Sequence, residues 1–190
     1  NGGVSAARNT ALKYAKGEFI TYVDADDSLP KTAFSDMLEL AADDVDFVIC
    51  SYNEITVKSR PNPFQNNVFD GPQDIYNRFR DFDRTIWWPC AKLYKTSIIN
   101  ENHLTYDTSI TFGEDHIFNL LYSKYITGKV VVSEKMTYNY HHIRGGLTAK
   151  FYPDMDEMQK YVYTKIADYF GGADKIPKKY EHLYIGSYYR

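Results

Sequence analysis

A ten-residue stretch frames the whole chain: Glu18-Phe19-Ile20-Thr21-Tyr22-Val23-Asp24-Ala25-Asp26-Asp27, an apolar, β-rich run that ends abruptly in carboxylates. That composition predicts a buried strand of a parallel sheet. In open α/β sheets, ligands bind just beyond the carboxyl ends of the strands. The run therefore delivers Asp24 and Asp26 to the place where such folds do chemistry. Two carboxylates one residue apart form a hard-oxygen pair. Mg²⁺ takes one or two protein carboxylates and leaves its other positions to water and substrate phosphates. The expectation is a metal–diphosphate site; the competing reading is a solvated acidic turn, since Asp is a natural turn residue.

With 190 residues the chain can bury one sizeable core but not two. Hydrophobic residues at 44% and charged residues at 25% exclude a disordered chain. A formal charge of −3 argues against nucleic acid as a partner. No apolar stretch is long enough to span a bilayer. Cys50 and Cys90 stand alone and read as reduced core residues of a cytoplasmic protein. The 18 tyrosines offer ring faces and hydroxyls that suit sugars, although most are expected to be structural. The chain opens on Asn1-Gly2-Gly3 and enters a helix almost at once, which reads as a piece whose preceding strands lie outside it.

Ser5 is the expected N-cap of a helix from Ala6 to Lys16, with Gly17 as its C′ residue. Arg8 and Asn9 sit in its first turns, where a glycine-preceded helix N-terminus can receive an anion. A second helix is expected from Ser28-Leu29-Pro30 to about Ala42, a strand from Val45 into Ile55, and a polar loop from Lys58 to Asn67. An amphipathic helix follows Gly71-Pro72 to about Phe82. Pro89 excludes a central strand within Thr85–Tyr94, and Trp88 is either a stacking surface for a sugar or a core plug. Gly113 opens a helix whose first turn carries Glu114 and Asp115, where acidic residues are favoured by the dipole in any case. Strands at Lys129–Ser133 and Thr137–His142 precede a basic loop, Arg144-Gly145-Gly146. A long helix runs from Pro153 to about Phe170, and the tail from Lys175 mixes basic and aromatic residues.

Four landmarks occur in fixed order: Asn-Gly-Gly-Val-Ser-Ala-Ala-Arg-Asn at residues 1–9, Asp24-Ala25-Asp26-Asp27, Lys92-Leu93-Tyr94, and Gly113-Glu114-Asp115 opening a helix. Together they resemble the family-two type of inverting nucleotide-sugar glycosyltransferases with a GT-A fold. The resemblance covers most of Asn1 to about Thr148. It implies an α/β, Rossmann-like mixed sheet flanked by helices, truncated of its amino-terminal nucleotide-binding strands. In those terms residues 1–57 end the nucleotide- and metal-binding half, 58–148 form the acceptor half, and 149–190 a C-terminal helical extension.

The resemblance also implies roles. Asp24 and Asp26 would hold Mn²⁺ or Mg²⁺ against the donor diphosphate, with Asp27 supporting them or capping a helix. Asp115 would be the base that deprotonates the acceptor hydroxyl, its carboxyl kept ionised by the helix N-terminus against the opposing pull of neighbouring carboxylates. Arg8 and Asn9 are donor-side candidates; Glu114, Trp88, Lys92 and His142 are acceptor-side candidates, His142 with a further possibility as a third metal ligand. The implied partners are a UDP-sugar type donor and a saccharide or lipid-linked acceptor in surface polysaccharide synthesis, at the inner face of the membrane. Two other readings stand beside this one: a non-catalytic glycan or protein interaction module, and a Mg²⁺-dependent phosphatase.

Overall fold

The computed structural model describes residues 2–142 and 153–180. Six strands, β1 (Phe19–Ile20), β2 (Val45–Ile55), β3 (Ser59–Asn62), β4 (Asn67–Asp70), β5 (Lys92–Lys95) and β6 (Lys129–His141), form one mixed sheet. Their order is β1-β5-β2-β6-β4, with β3 hydrogen-bonded to the outer half of β2. Only β2 and β6 run parallel; the other neighbours are antiparallel.

β2 is central because its sequence is apolar on both faces. Phe47 and Ile49 enter the larger core, while Val48, Cys50 and Tyr52 enter a smaller one on the opposite face, as the period of two requires. The larger core is covered by α3 (Gly71–Asn77), α4 (Phe79–Asp83), α6 (Glu114–Ser123) and α7 (Met155–Phe170). The smaller one is closed by Ala33 and Met37 of α2 (Ala33–Glu39). α1 (Gly3–Tyr14) and α5 (Thr96–Glu101) complete the helices. Phe47, Phe69, Phe79, Phe82 and Phe118 are fully buried, each contributing about 1.5–3 kcal/mol relative to exposure. Both cysteines are buried, unpaired thiols in the smaller core.

Several local expectations are corrected. The acidic run is not a long buried parallel strand: β1 is two half-buried residues, antiparallel to β5 (Phe19↔Lys95, Ile20↔Tyr94), and continues through a single parallel bridge from Tyr22 to Cys90. An apolar run reports burial but not the direction of its neighbour. α1 starts at Gly3 with Gly2 at the N-cap, and Ser5 is buried inside it. The helix ends at Ala15 in extended geometry, so Gly17 is not a left-handed cap. α2 is shorter than expected, beginning only after Thr32.

The polar stretch 58–67 contains β3 and the start of β4, with Pro61 on an outer strand where its missing N–H is tolerated. The helix after Gly71 breaks at Arg78 into α3 and α4. β5 starts just beyond Pro89 and lies inside the sheet. The two strands expected after Lys129 are one, with a register shift where Ser133 and Met136 face Cys50 and Ser51. Among the described residues no helix is long and apolar enough to cross a membrane. Arg144-Gly145-Gly146 and the tail beyond Tyr180 lie outside the described residues.

Candidate active site

Three chain segments meet at one guanidinium. Arg8, in the second turn of α1, is ion-paired to Asp115, lies 3.3 Å from Asp24 Oδ1, and 3.6 Å from Glu114 Oε1. Carboxylates ninety-one positions apart in the chain thus share one cation. Arg8 also lies over the rings of Tyr106 and Tyr22, at 5.3 and 6.0 Å from the centroids. Burial works against its charge, but Asp115, Tyr106, Asp24 and Glu114 together hold its pKa above the ordinary arginine value.

Asp115 is placed by helix geometry. Gly113 adopts φ +81°, ψ 3° at the N-cap of α6, a left-handed conformation that glycine takes without strain. It turns the chain so that Glu114 and Asp115 occupy the first helical turn. The Asp115 side chain is only 18% exposed. Burial pushes its carboxyl up to about 7, against the pull of Arg8, with Glu114 and Asp24 adding to the rise. Desolvation, which no reading of spacing reports, is therefore the largest influence on this carboxyl.

The acidic corner is fixed from β6. Tyr138 Oη donates to Asp27 Oδ2 at 2.6 Å and accepts from the Asp24 amide at 3.1 Å. The His141 amide donates to Asp27 Oδ1 at 2.7 Å, and Ser28 bridges Asn139. Asp27 is thus a structural pin of the turn, not a helix cap. Asp24 is 44% exposed on its side chain and Asp26 is exposed. Among the described residues no group of three or more His, Cys, Asp and Glu side chains is arranged to hold a metal ion. What the corner offers is two accessible carboxylates, the donor set expected for a Mg²⁺-like ion that takes its remaining oxygens from a diphosphate and water.

The other candidates fall in different places. Asn9 makes a two-point bond with the backbone of Tyr106, at 2.9 and 2.7 Å, and latches α1 to the segment before α6. Lys92 is 1% exposed; it points to the α6 side of β5 with Tyr94, donates to Cys90 O at 3.2 Å, and is pushed down to about 8 by burial. It stands behind the cleft. His142 is exposed, packs against Tyr140, and has Nε2 3.7 Å from Glu54 Oε2, so the structure does not bring it to the acidic corner. Trp88 is 47% exposed beside Tyr52.

Two supports of the site were not assigned from sequence. For Tyr138, the period of a strand gives the side it faces but not the partner it meets there. The buried His116–Asp83 pair, Nε2 to Oδ1 at 2.7 Å, has Trp87 stacked on it at 4.1 Å. Asn119 donates to the Ile86 carbonyl and to that of Trp88 at 3.2 Å. Both contacts fasten the Trp87–Trp88 segment to the helix that carries Asp115. A histidine after the acidic pair was the one available signal.

An open mixed sheet with an acidic corner at one strand end, facing a helix that begins with a second acidic pair, is the GT-A type of glycosyltransferase fold. The chain belongs to Glycosyl transferase family 2, whose model matches residues 1–102. It is 32% identical over 177 residues to the uncharacterized glycosyltransferase EpsJ of Bacillus subtilis, covering 89% of this chain and 51% of that one. It is 24% identical over 178 residues to the poly(ribitol-phosphate) β-N-acetylglucosaminyltransferase TarP of Staphylococcus aureus, covering 86% and 52%. The crystal structure of S. aureus TarS 1–349 in complex with UDP-GlcNAc superposes with a TM-score of 0.68 at 19% identity, over 98% of this chain and 52% of that chain. The chain thus spans about half the length of each of these three relatives. Family membership favours transfer over the interaction-module and phosphatase readings.

Proposed function

We propose that this chain carries the metal and acceptor side of an inverting glycosyltransferase site, which moves a sugar from a UDP-sugar to a hydroxyl of a saccharide or lipid-linked acceptor in surface polysaccharide synthesis. The observation that supports the reading is the convergence of Asp24, Glu114 and Asp115 on Arg8.

The acceptor oxygen attacks the anomeric carbon from the face opposite the diphosphate, and the carbon–oxygen bond to the diphosphate breaks with its electron pair on the phosphate. Asp115 takes the hydroxyl proton; with a pKa of about 7 it is a base matched to neutral pH. The products are an inverted glycoside and a nucleoside diphosphate. Asp24 and Asp26 would hold a divalent cation, which would supply charge neutralisation for the leaving diphosphate. Arg8 carries a fixed positive charge between the acidic corner and the base. As the diphosphate enters, it competes with Asp24 for that charge, which makes Arg8 the donor-side contact. Glu114 shares the guanidinium and orients the acceptor; Trp88 offers it a ring face.

The test is twofold. In the full-length enzyme, Asp115→Asn abolishes transfer from a UDP-sugar while leaving Mn²⁺-dependent UDP binding intact; near-normal turnover would remove Asp115 from the base role. Asp26→Ala weakens Mn²⁺ binding in the presence of UDP by calorimetry; unchanged affinity would move the cation elsewhere.

A further inference from the structure

Beside the cleft lies a groove of about 610 Å³ between the β2–β3 end of the sheet and the α4–Trp88 segment. That volume falls within the roughly 300–1,000 Å³ of ordinary ligand pockets. Its lining is largely polar and aromatic and includes Tyr52, Asn62, Gln65, Asn66, Arg84 and Trp88, with Asp81 among the rest.

Trp88 is the platform. Its carbonyl is held by Asn119, and its ring meets Tyr52 edge-on at 5.6 Å. Tyr52 is itself fixed by a 2.7 Å bond from Asn62 Nδ2 to its hydroxyl. Yet 47% of Trp88 is exposed. A large ring held through its backbone and one aromatic neighbour, yet half-exposed at the groove, offers a stacking surface. Around it, Asn66 uses its Oδ1 on the Glu134 amide, leaving its NH₂ available. Gln65 and the Arg84 guanidinium are exposed, with no side-chain hydrogen bond or ion pair among the described residues. Amides and a guanidinium beside an aromatic face match a ligand rich in hydroxyls: the Asn66 NH₂ can donate, the Asn62 Oδ1 can accept, and Gln65 can do both.

The groove is tied to the proposed reaction site through two short links in the chain. Asn119, which holds Trp88, lies four residues along α6 from Asp115, about one helical turn. Cys90, two residues past Trp88, is bridged to Tyr22, two residues before Asp24.

We propose that this groove is an extended acceptor subsite that holds the sugar units of a glycan chain next to the unit being glycosylated. The substrate class is then a polymeric or oligomeric glycan rather than a single sugar. Trp88 stacks on a ring, Asn62, Gln65 and Asn66 bond its hydroxyls, and Arg84 meets acidic groups where the chain bears them. The assignment of the neighbouring cleft as the acceptor site rests on the transfer reading above; binding in the groove does not require turnover.

The test is direct binding to this chain without metal or nucleotide. The indole N–H signals of its two tryptophans are followed by NMR and assigned with Trp88→Phe. The probes are N-acetylglucosamine, chitotetraose and a uronate-bearing tetrasaccharide. Both tetrasaccharides are expected to shift the Trp88 signal and to bind at least about tenfold more tightly than the single sugar. Arg84→Gln, an exposed substitution that leaves the fold intact, should reduce the affinity of the uronate chain most, and Trp88→Ala should reduce both. Equal affinity for the single sugar and the tetrasaccharides would overturn the proposal, as would wild-type affinity in both variants. Failure here leaves the Mn²⁺ and UDP measurements untouched, whereas failure of those leaves this binding result standing.

Discussion

Asp115 works under two opposed demands. As a base it must ionise; as a buried group it resists ionisation, and burial raises it from the ordinary 3.8 to about 7. Arg8 is the principal influence in the other direction. Arg8→Gln should therefore raise the Asp115 pKa further and move the acid limb of the kcat/KM profile to higher pH, a shift readable even if the rate falls; an unmoved limb would uncouple the two residues. Stability responds with a definite sign. An acid whose folded pKa exceeds its unfolded value keeps its contribution below about pH 4 and loses it as pH rises through about 7, because the unfolded chain releases the proton first. Asp115→Asn should thus gain on the native chain between pH 4 and 7, by up to about 1.4 kcal/mol per pH unit, in chemical denaturation at a series of pH values. A pH-independent difference would contradict the burial argument.

The elements hold the site through a few specific contacts. Gly113 starts α6 with positive φ, and a Cβ there would come within 2.5 Å of Val162 Cγ2 on α7. Gly113→Ala meets both the strained backbone and the clash. It is expected to cost at least about 1–3 kcal/mol, measured by urea unfolding, with reduced transfer because the Asp115 turn is displaced. The acidic corner depends on β6 in the same way. Tyr138→Phe removes one hydroxyl that serves both Asp27 and the Asp24 amide. A hydrogen bond to a charged group contributes about 1.5–3 kcal/mol, so this variant should melt lower and bind Mn²⁺ with UDP more weakly than the native chain. Normal Mn²⁺ affinity would show that the corner keeps its shape without β6.

For the molecule as a whole, ligand linkage gives the broadest check. A ligand that binds only the folded state adds about 2.7 kcal/mol at a hundredfold excess over its Kd. Mn²⁺ with UDP should raise the melting temperature of this chain and of Asp115→Asn alike, but not of Asp26→Ala; no shift in the native chain would weigh against the donor site. Much of the architecture was legible in the sequence where periodicity is long: Val45–Ile55, the Gly113 helix and the helix ending at Phe170 stand where their patterns put them. Short elements were not, since β3, β4 and α5 span only four to six residues and draw their stability from neighbours rather than from pattern. The pairing of Asp24 with Asp115 through Arg8 was foreseeable only through motif order. The roles of Tyr138 and of the buried His116–Asp83 pair needed three-dimensional contacts.

The Trp87 ring stacked on His116 has a practical consequence. An indole lying flat on an imidazole is an emitter whose brightness depends on that face-to-face contact. An event that moves the start of α6 should alter the Trp87 emission, so native fluorescence offers a readout with no dye attached.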